Sequence, residues 1–140
     1  MADCVRLKYI IDGENFTSAG EASVKVKRSL RQMGFSPEVI RKVSVAMYEG
    51  EINMVIHARG GVAIVDVYED KIVIVLEDEG PGIPDIPLAM QAGYSTAPDN
   101  IRSLGFGAGM GLPNMKKYTD DMKIESVVGK GTTITMTVNV

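Results

Sequence analysis

Two glycine-rich stretches decide the fold of this chain: Asp-Glu-Gly-Pro-Gly-Ile-Pro at residues 78–84 and Gly-Phe-Gly-Ala-Gly-Met-Gly-Leu at residues 105–112. The first follows an apolar run at residues 72–76, which predicts a strand in the centre of a sheet. Neither is a P-loop, because no Gly-x-x-x-x-Gly-Lys-Ser/Thr sequence is present. A Rossmann fingerprint places its acidic residue after the glycines, whereas Asp78 precedes them. The pattern therefore indicates a nucleotide site of another type.

The segments around these stretches predict the remaining elements. A helix is expected from a cap at Thr17 or Ser18 to about Met33, and a second from Ser36 to about Ala58. Alternating and apolar runs predict strands, and two short helices are expected near the glycine boxes. The strands are expected at 5–11, 62–68, 71–76, 122–127 and 132–140, and the short helices at 87–92 and 110–118.

Strands and helices are largely segregated along the chain, so the expected fold class is α+β. We expect a two-layer α/β sandwich with a mostly antiparallel sheet and helices on one face. Residues 1–140 are expected to form a single domain, with a lid at about 93–110, because a long polar loop in a compact domain is usually functional.

Composition excludes several classes of protein. The net charge is −3, which argues against a general nucleic-acid binder. The chain has one cysteine, so it has no internal disulfide, and no Cys/His cluster typical of a metal site. No apolar run is long enough to span a membrane, and the N-terminus lacks a signal-peptide pattern. We expect a soluble cytoplasmic protein.

The second predicted helix carries a polar stripe. Glu49, Asn53 and His57 are spaced four residues apart and therefore share one helical face. Asn53 offers an oxygen of the hard type that Mg²⁺ prefers, and Glu49 is placed to accept a proton. His57 is more often structural in such a position. Glu51 falls on the opposite side of the helix and is expected to face solvent.

The glycine boxes suit different parts of a nucleotide. A carboxylate at the end of a buried strand, Asp78, accepts a hydrogen bond from an exocyclic amine, although a simple turn cap before Gly80 is the alternative. Glycine lets the backbone approach a flat ligand closely. The second box leads into a helix, whose free N–H groups and dipole suit a triphosphate. The glycines concerned are Gly80 and Gly82 in the first box, and Gly107, Gly109 and Gly111 in the second.

Two features have a structural and a functional interpretation. Gly50 lies inside a helix, where glycine costs about 1 kcal/mol relative to alanine, so close packing against either the nucleotide or a neighbouring element is expected there. The first helix carries a basic face of Lys25, Lys27, Arg28 and Arg31. That face is either solvated or a surface for a partner.

Four motifs in order resemble the boxes of the GHKL (Bergerat-fold) ATPases: Glu49-x-x-x-Asn53, Asp78-x-Gly80-x-Gly82, Gly107-x-Gly109-x-Gly111-Leu112 and Gly129-x-Gly131-Thr132. The resemblance spans nearly the whole chain. It is strongest to the small bacterial anti-sigma-factor and switch-protein serine/threonine kinases, because the chain is a minimal domain and Gly-Tyr-Ser-Thr at residues 93–96 is similar to their lid entry.

This resemblance implies roles for individual residues. Asp78 would bind the adenine amine with help from Thr132, Asn53 would hold Mg²⁺, and Glu49 would be the catalytic base. The glycines of both boxes and Leu112 would complete the ATP site. Arg102 and Lys116 are candidate charge partners of the phosphates.

The resemblance also implies partners. The substrate would be a serine or threonine of a STAS-domain, anti-anti-sigma-like protein, and a sigma factor and a homodimer are compatible with it. No nucleic-acid or membrane partner is expected. Three alternatives stay open: a nucleotide-gated binding module that sequesters a regulator, the catalytic part of a split histidine kinase, and an autonomous ATPase.

Overall fold

The structure is a computed structural model that describes residues 4–13, 19–58, 60–83, 85–91 and 111–140, without the side chain of His57. The expected lid therefore lies outside the described residues. So do Arg102, Gly107, Gly109, Thr17 and Ser18. The expectation that Thr17 or Ser18 caps the first helix was wrong, because that helix begins at Glu21 and Gly20 is its N-cap. Among the residues described, no helix is both long and apolar enough to cross a membrane.

The described elements follow the predicted order closely. The long second helix begins as expected, with Pro37 in its first position and the Ser36 hydroxyl accepting the N–H of Val39 at 3.3 Å. In chain order the elements are β1 (Val5–Asp12), α1 (Glu21–Gln32), α2 (Pro37–Ala58), β2 (Gly60–Val67), β3 (Lys71–Asp78), α3 (Ile86–Ala89), α4 (Gly111–Lys117), β4 (Asp121–Val127) and β5 (Gly131–Asn139).

The five strands form one antiparallel sheet in the order β1-β2-β3-β5-β4. The apolar strand β3 occupies the centre, as its sequence predicts. Its residues Ile72, Ile74 and Leu76 point to the helical layer and are buried. They pack with α1, α2 and α4 in one core, so the predicted α+β sandwich is confirmed.

The other face of the sheet has no helix over it in the part of the chain that the structure describes. Ile10 on β1 is 84% exposed there, and the apolar side chains of Val62, Ile64, Val73 and Val75 are half-buried on β2 and β3. This leaves an apolar surface on one side of the sandwich. On the opposite, helical face of β1, Val5 is half exposed and Ile11 is buried.

Glu51 does not face solvent, so that prediction was wrong. Its side chain is buried, and its carboxylate accepts the backbone N–H groups of Gly20, Ala22 and Ser23 at the start of α1. The residue lies opposite the Glu49 face, as the helical spacing requires, but α1 packs against that side of α2. A carboxylate at a helix N-terminus satisfies donors that have no partner within the helix.

Close packing explains the glycine inside α2. A Cβ at Gly50 would overlap the side chain of Leu76 on β3 and lie 3.3 Å from Cε of Met115 on α4. The neighbouring elements therefore approach α2 at this position more closely than a residue with a Cβ atom would allow.

Candidate nucleotide site

The polar stripe of α2 meets the first turns of α4. Asn114 donates a side-chain hydrogen bond of 3.3 Å to Oε1 of Glu49. The side-chain nitrogen of Asn53 lies 4.0 Å from the sulfur of Met115. Glu49 and Asn53 are both half-buried, so each is shielded on one side and accessible on the other. The helix that follows the second glycine box thus lies directly against the predicted base and Mg²⁺ ligand.

The last glycine of the second box touches Asn53. A Cβ at Gly111 would lie 2.9 Å from both Nδ2 and Oδ1 of Asn53, which is closer than real Cβ contacts come. The absence of a side chain therefore lets α4 begin beside this amide. Leu112, the next residue, places its side chain in the core, 8% exposed, so its expected role toward a nucleotide stays a prediction.

Asp78 is the last residue of β3, and its carboxylate organises the turn that follows. Oδ1 accepts the N–H of Gly80 at 2.9 Å and the N–H of Thr132 on β5 at 3.2 Å. The turn-cap interpretation is therefore correct as far as it goes. Within the described part of the chain, Oδ2 has no hydrogen-bond partner, and Asp78 is half-buried. One carboxylate oxygen holds the loop, and no described residue donates a hydrogen bond to the other.

The hydroxyl of Thr132 belongs to a small polar network. It lies 2.8 Å from the hydroxyl of Ser126 on β4, which also accepts the N–H of Ile83 at 2.7 Å and lies 3.2 Å from the carbonyl oxygen of Gly131. Thr132 itself is 7% exposed. The network links the first glycine box, through Ile83, to strands β4 and β5, and the N–H of Thr132 extends it to Asp78.

Three glycines permit the close approach of segments around Asp78. A Cβ at Gly80 would lie 2.7 Å from that of Ala58 at the end of α2, and one at Gly82 would lie 2.6 Å from the carbonyl oxygen of Val127. A Cβ at Gly131 would overlap the carbonyl oxygen of Asp78. Gly82 and Gly131 also have positive φ angles of 79° and 144°. These positions require glycine for both reasons.

Two polar residues of this region could not be predicted from the sequence. Asn114 was hidden because its partner Glu49 lies 65 positions away, and Ser126 because an alternating strand gives no sign of which serine is buried in a network. A partial signal for Asn114 was its place three residues after Gly111, since residues at that spacing share a helix face. Lys116 is exposed, and its role as a charge partner stays a prediction.

The residues present fit a nucleotide with Mg²⁺. Among the described residues, no group of three His, Cys, Asp or Glu side chains gathers to hold a metal by itself. A site with few protein ligands is what Mg²⁺ uses when phosphates and water complete its coordination. The oxygen of Asn53 accepts no hydrogen bond from the described residues and borders the cradle left by Gly111. This donor is therefore suited to such an ion.

The fold and these contacts agree with sequence comparison. The model of the histidine kinase-like ATPase domain family matches residues 15–138. The chain therefore belongs to this family, the GHKL-type ATPases that its four motifs resemble.

Similar proteins include an anti-sigma factor and a serine/threonine-protein kinase. The chain is 36% identical over 137 residues to the anti-sigma F factor of Clostridium acetobutylicum, a match that covers 94% of this chain and 90% of the relative. It is 32% identical over 108 residues to the serine/threonine-protein kinase RsbT of Bacillus subtilis, covering 74% and 75% of the two chains.

Solved structures support the fold. One is a Mycobacterium tuberculosis protein, Rv1364c, solved as its RsbU and RsbW domains, with a TM-score of 0.66 at 17% identity. The match covers 96% of this chain and 32% of that longer one. The mycobacterial sensor histidine kinase MprB matches with a TM-score of 0.54, also at 17% identity, and the match covers 96% of this chain and 97% of that one.

Proposed function

We propose that this protein is an ATP- and Mg²⁺-dependent serine/threonine kinase of a partner-switching system. The observation that carries the proposal is the contact of two α2 residues with the start of α4, where Asn114 donates to Glu49 and Gly111 lies against Asn53. Asp78 ends β3, and the loop that it caps packs through Gly80 on Ala58 at the end of α2. Family membership and relatives named as a kinase and as anti-sigma factors point in the same direction.

Each residue has a defined task in this proposal. Oδ2 of Asp78 accepts the adenine amine, while Oδ1 and the Thr132–Ser126 pair keep the carboxylate oriented. Asn53 holds the ion, which when bound neutralises phosphate charge. Gly107, Gly109 and Gly111 are proposed to line the phosphates. Glu49, oriented by Asn114, accepts the proton of the attacking hydroxyl. Phosphoryl transfer requires mainly such positioning and charge neutralisation.

The substrate is proposed to be a serine or threonine of a STAS-type antagonist protein, and a sigma factor is proposed as a second partner. The basic face of α1, defined by Lys25, Lys27, Arg28 and Arg31, offers a surface for an acidic partner, because all four side chains are exposed. We place this activity in the cytoplasm, where a bacterial sigma factor works with RNA polymerase.

A homodimer is proposed through the apolar sheet face that carries Ile10. An exposed apolar patch of this kind is typical of a protein interface. Sedimentation equilibrium on the wild type and on Ile10→Lys checks this, since a lysine in the interface would shift the protein to monomer. A wild type that is monomeric at all concentrations would rule the dimer out.

The kinase proposal is tested by phosphate transfer from γ-labelled ATP with Mg²⁺ into proteins of the native cell extract. A single small labelled protein carrying acid-stable phosphoserine or phosphothreonine is expected. The label should disappear with Glu49→Gln and with Asn53→Ala. Glu38→Gln is the matched control, because its side chain is on the same helix but 79% exposed.

Other outcomes separate the alternatives. ATP binding without transfer would favour a nucleotide-gated binding module. Acid-labile phosphate on a partner histidine would favour the catalytic part of a split histidine kinase. Steady ATP hydrolysis without any labelled protein would favour an autonomous ATPase.

A further inference from the structure

Glu51 is a buried charged residue that the proposed kinase reaction does not use. Its side chain is 2% exposed. Oε2 accepts the N–H groups of Gly20 at 2.7 Å and Ala22 at 3.2 Å, and Oε1 accepts that of Ser23 at 3.0 Å. Gly20 itself has a φ of 100° and provides no side-chain cap. The N-terminus of α1 is therefore capped by a residue of another helix rather than by its own sequence.

The turn of α2 that contains Glu51 contacts the candidate site on its other sides. Glu49 is hydrogen-bonded to Asn114, and Gly50 is packed against Leu76 and Met115. On the α1 side, the ring of Tyr48 lies 3.1 Å from where a Cβ of Gly20 would stand. Residues 48–51 thus connect the start of α1 with α4 and β3. A shift of this turn must displace the residues of all three elements that pack against it, because packed interiors do not deform continuously.

A surface groove lies at the same place. It has a volume of about 400 Å³ and is lined in part by Val24, Lys25, Arg28 and Tyr48. Val24 and Tyr48 are 56% and 42% exposed, so apolar and aromatic surface lies beside two basic side chains and the acidic side chain of Glu21. The groove belongs to the basic α1 face proposed above as the partner surface. Its shape depends on where α1 begins relative to Tyr48.

We propose that Glu51 is a positioning residue that couples the candidate nucleotide site to the N-terminus of α1. Nucleotide bound beside Asn53 stabilises one position of residues 48–51, and the carboxylate of Glu51 transmits that preference to the backbone of Gly20, Ala22 and Ser23. Coupling of this kind is reciprocal. If bound nucleotide changes the affinity of the groove for a partner by some factor, the partner changes the affinity for nucleotide by the same factor. The inference rests on the proposed function only for nucleotide binding, and it does not require phosphate transfer.

The test is amide hydrogen exchange of the full chain, followed by NMR, with and without the Mg²⁺ complex of a non-hydrolysable ATP analogue. In the wild type, the analogue should slow exchange at Gly20, Ala22 and Ser23 at least threefold. In Glu51→Gln, these amides should exchange at least tenfold faster and no longer respond to the analogue. The dissociation constant of the analogue, measured by calorimetry, should differ less than threefold between Glu51→Gln and the wild type. Glu38→Gln, an exposed carboxylate on the same helix, should behave as wild type.

The outcomes are distinct. Analogue binding that leaves the three amides of the wild type unchanged would overturn the coupling while leaving the proposed function intact. An unaltered analogue response in Glu51→Gln would overturn the role of this carboxylate. No analogue binding at all would overturn both proposals. The wild-type measurement decides the coupling even if the variant fails to fold.

Discussion

The side-chain amide of Asn114 lies 3.3 Å from Oε1 of Glu49 and donates a hydrogen bond to it, across 65 positions of sequence. The contact joins the helix after the second glycine box to the residue proposed as the base. An amide donor holds the carboxylate in one orientation without adding charge. A proton acceptor is effective only when it is held within reach of the proton it takes.

Removing this donor should slow phosphate transfer. Since a positioned base contributes about 100- to 10,000-fold, Asn114→Ala is expected to lose roughly tenfold of the rate by misorienting Glu49. The affinity for ATP should change little. Single-turnover transfer to the labelled substrate measures this, and Asn139→Ala at the exposed end of β5 is the asparagine control. Full activity in Asn114→Ala would contradict the positioning role.

Asp78→Asn should weaken ATP binding and reduce the preference for ATP over GTP. An adenine amine donates to a carboxylate oxygen, whereas guanine presents a carbonyl oxygen at that position. A buried polar partner left unpaired typically costs about 1–3 kcal/mol, so we expect a loss of roughly tenfold or more in ATP affinity. Calorimetric titration with both nucleotides measures this.

Two controls accompany that variant. Asp121→Asn changes an exposed aspartate of β4 and should leave both affinities unchanged. Circular dichroism checks that Asp78→Asn remains folded. This check is needed because Oδ1 of Asp78 also accepts the N–H groups of Gly80 and Thr132. A folded Asp78→Asn protein with unaltered selectivity would place adenine recognition elsewhere.

In Gly50→Ala, helix propensity and core packing are expected to change the free energy of unfolding in opposite directions. Helix propensity alone predicts that alanine stabilises the protein by about 1 kcal/mol. The overlap with Leu76 predicts the opposite, because overpacking a core typically costs about 1–3 kcal/mol. We expect a lower free energy of unfolding in urea. Gln32→Ala on the exposed side of α1 is the control and should show little change. A Gly50→Ala protein more stable than the wild type would show that Leu76 on β3 moves aside at little cost.

The ion pair between Arg6 and Asp66 should make stability depend on pH. Its hydrogen bond, 2.8 Å from Nε to Oδ1, lowers the pKa of Asp66 below the ordinary value of 3.8. A carboxylate with a lowered pKa contributes stability that is present above its unfolded pKa and is lost as the pH falls through its folded pKa. Arg6→Met should therefore be less stable than wild type at neutral pH, and the difference should shrink below about pH 4.

Urea unfolding at several pH values measures that difference. The control is Lys123→Met, which breaks an ion pair of 3.1 Å between side chains that are 70% and 66% exposed. Exposed pairs contribute little, so its curve should follow that of the wild type. A difference for Arg6→Met that is constant from neutral to acidic pH would mean that Asp66 is not the group responsible.

Much of the architecture was determined by local sequence. The apolar run of β3, the cap and proline at the start of α2, and the glycine turns predicted elements that the structure places within a few residues, because periodicity and turn chemistry act over short stretches. The candidate residues Glu49, Asn53, Asp78 and Gly111 were predicted from the same short-range signals, since helix spacing and a glycine box after a strand can be seen in the sequence.

The contacts between distant segments depend on the tertiary structure. The sequence places Glu51 opposite the Glu49 face but does not show that α1 covers that side, so a buried helix cap was interpreted as a solvated charge. Asn114 and Ser126 depend in the same way on helix packing and on the register between β4 and β5. Their partners are set by the closure of the whole sandwich, which no local pattern encodes.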